Sequence, residues 1–371
     1  MKKTKYLENN REQDCYGCGI CEWVCPTQAI KMQEDHRGFV YPVVSNTECI
    51  QCGKCHKACP VEMEKLGTKG TIYQLAHKSR EVCLASQSGG AFTALSDVIL
   101  QRKGVVYGAA FSKDFTVVHK RAETKKQRSA MHGSKYVQSR ITKNILKQLE
   151  NDISDKRDIL FTGTPCQCAM IAKNYGEYDK IIICEFLCHG VTSQKIWKEY
   201  LSYIEKKYCI TIKKAVFRNK RCRGKGNNTE SYYSWDGNEI FSNEYSALYY
   251  SHLAHRKSCF SCQFAKQERY ADITIGGFLE PSDFKAEYDS SMVIVNSEKG
   301  RWMFEQIADA VRWQESRLEF YKNQPCLYHA IPYPENYDVF WKCFQEEGIE
   351  EVVEKFATDD IKHRFHLEIL E

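Results

Sequence analysis

Long apolar runs are missing from this sequence. The longest are as short as Ile181–Cys184, so no segment reads as a transmembrane helix. Met1–Asp14 is polar throughout and has no apolar core for an export signal, so the expected location is cytoplasmic. Charge of one sign is lacking too: 53 Lys and Arg face 48 Asp and Glu, a formal +5 over 371 residues. That excess is too small and too dispersed to argue for nucleic acid. There is no GxGxxG turn after a strand and no Walker A sequence, so a nicotinamide or ATP site of the usual kind has no support. With 43% hydrophobic and 27% charged residues, the chain is not disordered, and its length suits two or three domains.

What the sequence has in excess is cysteine, 19 in all. In a reducing compartment clustered cysteines bind metal or do redox work. Cys15, Cys18, Cys21 and Cys25 end in Pro26, and Cys49, Cys52, Cys55 and Cys59 end in Pro60. Each position repeats at an offset of 34 residues, as do Gly19 and Gly53. Three cysteines at this pitch wrap three corners of an iron–sulfur cube, and the fourth, before proline, turns away to the other cluster. One cluster is therefore expected on Cys15, Cys18, Cys21 and Cys59, and a second on Cys49, Cys52, Cys55 and Cys25. Structural zinc would use pairs of CxxC, which the third cysteine and the Cys-Pro ending do not fit. Ala29–Gln33 and Phe39–Val44 read as a hairpin over Asp35–Gly38. Residues 11–66 resemble a bacterial-type two-cluster ferredoxin with an α+β ferredoxin-like fold, behind a polar tail at 1–10.

Past a linker at Gly67–Gly70, strand-like and helix-like stretches alternate, which argues an α/β body. Strands are expected at Thr71–Ala76, Gly104–Phe111, Phe115–Ala122, Asp158–Thr162, Lys180–Cys184, Asp272–Phe278 and Ser291–Asn296. Helices are expected at Ala91–Leu100, Ile141–Glu150, Ser193–Tyr208 and Lys299–Val311. Ser88-Gly89-Gly90 precedes a helix, where bare amides suit a phosphate; an ordinary serine cap is the other reading. Gly133-Ser134-Lys135-Tyr136 gathers a turn, a hydroxyl, a cation and an aromatic, or is simply an exposed turn. The basic loop Arg218–Lys225 is either a solvated surface or an anion site. Cys166 sits where a strand meets a helix, behind Pro165, a position that α/β proteins use for active groups. Cys259 and Cys262 form a CxxC that alone could mean zinc, a redox pair or core thiols. Cys83, Cys209, Cys326 and Cys343 look like isolated core thiols. His132 and His189 could move protons or be structural.

The order SQSGGAFTAL, GVVYGAAF, HGSKYVQS, FTGTPCQ, LCHGVTS, FRNK, CxxC and RYADITIGGF resembles the beta subunit family of coenzyme F420 hydrogenase and dehydrogenase, over about Tyr73–Asn296. The resemblance implies a flavin-binding α/β body, with the flavin part at 71–155 and a C-terminal part at 156–371. It implies FAD held by Ser88, Gly89, Gly90, Thr93, Gly133, Ser134, Lys135, Tyr136, Gln138 and Thr164. A third 4Fe–4S cluster is implied on Cys166, Cys188, Cys259 and Cys262. The implied activity is an oxidoreductase that passes electrons between clusters and FAD to a small molecule, coenzyme F420 or another. The alternative is a non-catalytic electron-transfer subunit. A redox partner protein or a ferredoxin is implied in either case, with no nucleic acid and no membrane span. No catalytic residue is assigned. Where the family reads Gly-Asp-Phe-Trp-Gly, this chain reads Gly276-Gly277-Phe278-Leu279-Glu280, a departure that counts against coenzyme F420 more than against flavin.

Overall fold

The computed structural model describes residues 4–63, 69–219, 229–277, 284, 289–317 and 324–364. In the N-terminal module β1 (Ile30–Glu34) and β2 (Val40–Val44) form the expected antiparallel hairpin. Two short helices, Ile20–Trp23 and Lys54–Ala58, carry the third cysteine of each motif. Gly19 and Gly53 precede these helices, both with left-handed backbone, which glycine adopts without a steric penalty. The duplication in sequence is thus a duplication in backbone.

The body is built on one eight-stranded sheet. Its strands are β3 (Thr71–His77), β4 (Val105–Phe111), β5 (Val117–Ala122), β6 (Ile159–Gly163) and β7 (Ile181–Phe186). A second, three-stranded sheet holds β8 (Ile212–Val216), β9 (Glu230–Ser234) and β10 (Glu239–Ser242). The large sheet resumes with β11 (Ile273–Gly277), β12 (Ser291–Val295) and β13 (Val311–Ser316). Its order is β13-β3-β12-β11-β7-β6-β4-β5. The pairs β4–β6, β6–β7 and β7–β11 are parallel and the outer pairs antiparallel.

Alternate residues of the central strands point to opposite faces, as the strand repeat of two requires. Val106, Leu160 and Ile182 pack with the helices Ala91–Gln101 and Glu298–Ile307. Tyr107, Phe161 and Ile183 pack on the other face with Lys143–Ser154 and Pro165–Tyr175. The body is therefore a three-layer α/β/α stack, as the alternation predicts. Two readings change. The large sheet takes strands from both sides of the boundary expected after residue 155, because β3 is inserted between β12 and β13. The helix expected to reach Val311 ends at Ile307, and Val311 starts an edge strand on β3.

The N-terminal module shares its buried surface with the body. Ile20 and Ala58 join the core under the large sheet, Phe39 and Tyr41 the aromatic core around Trp197, and Tyr16 and Val61 the core of Ala169 and Phe264. Polar links add to this: Trp23 Nε1 donates to Glu150 at 2.7 Å and Asn174 Nδ2 to the Ala58 carbonyl at 2.9 Å. Among the described residues no helix is long and apolar enough to cross a membrane.

Candidate functional site

None of the described cysteines is in a disulfide, and twelve of them fall into three groups of four. Cys15, Cys18, Cys21 and Cys59 form the first group. Burial raises the pKa of Cys18 and Cys21, and the neighbouring thiols of Cys59 and Cys15 raise both further. The same two influences push Cys59 up to about 12, with Cys15 as its thiol neighbour. Protonated, such a group is a crowd of buried thiols; as thiolates it needs a strong positive centre, which iron supplies. Cys25, Cys49, Cys52 and Cys55 line a second cavity near the surface. Cys25 thus lies with Cys49, Cys52 and Cys55, and Cys59 beside Cys15 and Cys18.

The third group lies in the body. Cys166 opens the helix after β6, Cys188 follows β7, Cys259 lies within the turn Lys257–Ser261 and Cys262 follows it. This is the crevice beyond the carboxyl ends of parallel strands, where α/β folds place their working groups. The four thiols line one cavity with Tyr16, Gln138, Thr164, His189, Arg256 and Arg269. Burial raises each of them; Cys259, whose nearest thiol influence is Cys166, is pushed up to about 12. A fifth thiol, Cys326, also lines the cavity, 3.9 Å from His189 Nε2. Among the described residues no three His, Cys, Asp or Glu side chains close tightly enough to hold a single metal ion. The second and third groups instead line cavities, and four thiolates around a void could hold a cube. Beneath the cavity Arg269 pairs with the buried Glu185 at 3.1 Å and donates to the Cys326 carbonyl at 3.3 Å.

The first and third groups are neighbours. Tyr16, next to Cys15, accepts at its hydroxyl from the Gln263 amide at 3.2 Å, next to Cys262. Burial raises the Tyr16 pKa, and Cys262, Cys166 and Cys259 add to the rise. Sequence reasoning missed Tyr16, Gln263, Arg256 and Cys326; only the proximity of the first three to ligand cysteines in the chain hinted at them.

The glycine loops come together at the other end of the site. Gly90 caps Ala91–Gln101 with left-handed backbone. Thr93 Oγ1 lies 3.2 Å from His132 Nε2, and a side chain at Gly133 would begin 3.6 Å from Gln87 Nε2. Gly89 has a structural reason of its own: a β-carbon there would fall 2.4 Å from the Leu75 carbonyl. Lys135 turns back to the carbonyls of Ala130, His132 and Gly133 at 3.3, 2.9 and 3.2 Å. Burial, helped by Lys120, lowers its pKa to about 7. Tyr136 stacks on Tyr249 with ring centres 4.2 Å apart. Gln138 and Thr164 stand apart from these loops on the thiol cavity, Gln138 donating to the Tyr16 carbonyl at 2.7 Å and Thr164 3.2 Å from the Cys166 sulfur. Between loops and cavity lie buried polar atoms without hydrogen-bond partners: His252 Nδ1, both ring nitrogens of His255 and Arg218 Nε. Of the basic loop, residues 220–225 lie outside the described residues, as do Phe278, Leu279 and Glu280 of the departing motif and residues 67 and 68 of the expected linker.

Comparison with known proteins places two matches on this frame. Residues 156–319 match the family described as the C terminus of the coenzyme F420 hydrogenase/dehydrogenase beta subunit, and residues 14–63 match the 4Fe-4S dicluster domain. No curated protein matches. A chain in the structure of the F420-reducing [NiFe] hydrogenase complex from Methanosarcina barkeri is similar at 18% identity, over 82% of this chain and 97% of that one, with a TM-score of 0.48. That likeness is too loose to carry an argument.

Proposed function

We propose, from the match of residues 156–319 to the C terminus of the coenzyme F420 hydrogenase/dehydrogenase beta subunit family and of residues 14–63 to the 4Fe-4S dicluster domain, that the chain is an iron–sulfur flavoprotein oxidoreductase. Electrons would pass between the dicluster module, a third cluster in the body and FAD, and so to or from a small molecule of the coenzyme F420 type or another reducible compound. One observation carries this reading: Cys166, Cys188, Cys259 and Cys262 come from three separate stretches of chain, yet line one cavity against the loop of Cys15. Four soft thiolates around a void suit iron–sulfur far better than oxygen-loving ions.

For FAD the fit rests on the orphaned atoms of His252, His255 and Arg218, since buried polar groups without partners are costly unless a ligand satisfies them. Ser88–Gly90 and Gly133–Tyr136 would take the phosphates, with Tyr136 and Arg218 nearer the ring. A bound flavin joins one-electron centres to two-electron chemistry. The chain's own part is to bury the route: Tyr249 and Tyr136 wall it with aromatic surface, and His189, at the edge of the thiol cavity, stands where a proton could be held. A redox partner protein would meet the outer cluster.

The test is anaerobic. The protein, loaded with iron, sulfide and FAD, is reduced chemically and offered candidate acceptors. Turnover by the isolated chain supports the enzyme. Electron release only to a partner protein would make it a transfer subunit instead.

A further inference from the structure

Arg256 is a buried cation whose hydrogen-bond partners include no carboxylate; Asp35 acts on it only from farther off. Its side chain is 1% exposed. Nε donates to the Cys15 carbonyl at 2.9 Å, Nη1 to Gln138 Oε1 at 3.3 Å and Nη2 to the Val40 carbonyl at 3.0 Å. The guanidinium lies over the Tyr41 ring at 4.1 Å and the Phe39 ring at 5.5 Å. Every one of these partners is neutral. Neutral acceptors and ring faces recover only part of the cost of taking a full charge out of water.

The charges that could complete the balance are sulfur. On one side Arg256 grips the backbone of Cys15, a candidate ligand of the inner dicluster centre. On the other it lines the body cavity with Cys166, Cys188, Cys259 and Cys262. Each oxidised cube with four thiolates carries about −2 in total, and about −3 once reduced. The cation therefore stands between two anions whose charge grows when an electron arrives. Burial works against its charge, while Tyr41, Cys15, Cys259 and then Asp35 favour it, and the net effect keeps it protonated.

We propose that Arg256 is the shared countercharge of the cluster at Cys15 and the cluster in the body cavity, raising the potentials of both and clasping the ferredoxin module to the body. The proposal rests on the reading that the body cavity holds a cluster. Arg256 touches no substrate, so it is a positioning residue. Its effect should be strong at these two clusters and weak at the outer one on Cys25, Cys49, Cys52 and Cys55, whose cavity Arg256 does not line.

Potentiometric titration of the iron-loaded full chain, followed by electron paramagnetic resonance, tests this. Arg256→Gln should keep its iron. At fixed potential its ratio of reduced to oxidised inner and body clusters should fall about tenfold, a shift of about 59 mV for a one-electron couple, with the outer cluster unmoved. Unchanged midpoints at full iron content would overturn the proposal, and so would an equal shift of all three clusters. Arg256→Lys keeps the charge and decides the matter if the Gln variant does not load iron. It should hold the parent's midpoints, and a fall like that expected for Gln would overturn the charge argument. If the parent contains only the two dicluster centres, the reading of the body cavity fails. The shift at the Cys15 cluster then still decides the role of Arg256.

Discussion

Gln263 Nε2 donates to the Pro60 carbonyl at 3.1 Å. Gln263 follows Cys262 and Pro60 follows Cys59, so one hydrogen bond joins the backbone beside a dicluster ligand to the residue beside a body thiol. With the bond from the Gln263 amide to the Tyr16 hydroxyl, it ties the two thiol groups together through the side chains of Gln263 and Tyr16.

Iron content separates ligands from bystanders. Three cubes require about twelve irons per chain. Cys262→Ser or Cys166→Ser should lose about four and leave the N-terminal clusters reducible. Cys326→Ser, at the same cavity, should lose none. Anaerobic iron and sulfide analysis reads this directly, and iron loss from the Cys326 variant would reassign the ligands.

Lys135 should report FAD binding through its proton. With its pKa lowered to about 7 by burial and Lys120, it is largely neutral near pH 8. A phosphate beside it favours the ammonium, so FAD binding should take up a proton at that pH. Calorimetry in two buffers of different ionisation heat measures the uptake. Lys135→Ala should abolish it and weaken FAD by about 1–3 kcal/mol. Unchanged affinity would place the phosphates elsewhere.

Glu230 makes stability depend on pH. It is buried among Tyr200, Tyr232 and Tyr245, with the Tyr232 hydroxyl at 2.8 Å and the Ser246 amide as donors. Burial pushes its pKa up to about 8, against roughly 4.3 for an unfolded glutamate. Between these values the folded chain keeps a proton that the unfolded chain has lost, so this contribution weakens as pH rises and is intact below the window. Glu230→Gln, which never ionises, should be more stable than the parent near pH 8 by about 1–4 kcal/mol, with little difference near pH 5. Urea melts at the two pH values would show it; parallel curves would refute it.

Gly17→Ala should strain the junction. The backbone there has φ +65, and a β-carbon would sit 2.9 Å from Arg256 Nη1 and 3.0 Å from the Val40 carbonyl. A loss of about 1–3 kcal/mol in the melting of the loaded protein is expected. At Gln51, the same position in the second repeat, φ is +53, and Gln51→Gly should be close to neutral.

The dicluster module was legible because its chemistry is written in consecutive spacing: three cysteines per loop and a proline leave one folding solution. The central strands were legible because Val106 to Tyr107 and Leu160 to Phe161 are buried on both faces. The small sheet β8–β10 was not, since Glu230–Ser234 (ESYYS) is a polar, aromatic strand that packs against Trp197 and Tyr245 rather than following an apolar period. The body thiols are separated by up to 96 residues, Cys166 to Cys262, so no local pattern unites them and only the resemblance did. Arg256 was invisible for a plainer reason: an arginine is expected in water, and nothing in HRKSC marks one as buried.

The two halves of the duplicated module are not interchangeable. Where the inner repeat has Gly17 pressed beneath a guanidinium, the outer has Gln51, a full side chain in the same left-handed backbone and open to solvent. The repeat that makes the two loops alike in cysteine spacing is broken at this pair of positions, which gives the module a polarity. The protein has a socket end and a plug end, and a circularly rearranged module with the repeats exchanged would present the wrong end to the body while every cysteine remained in register.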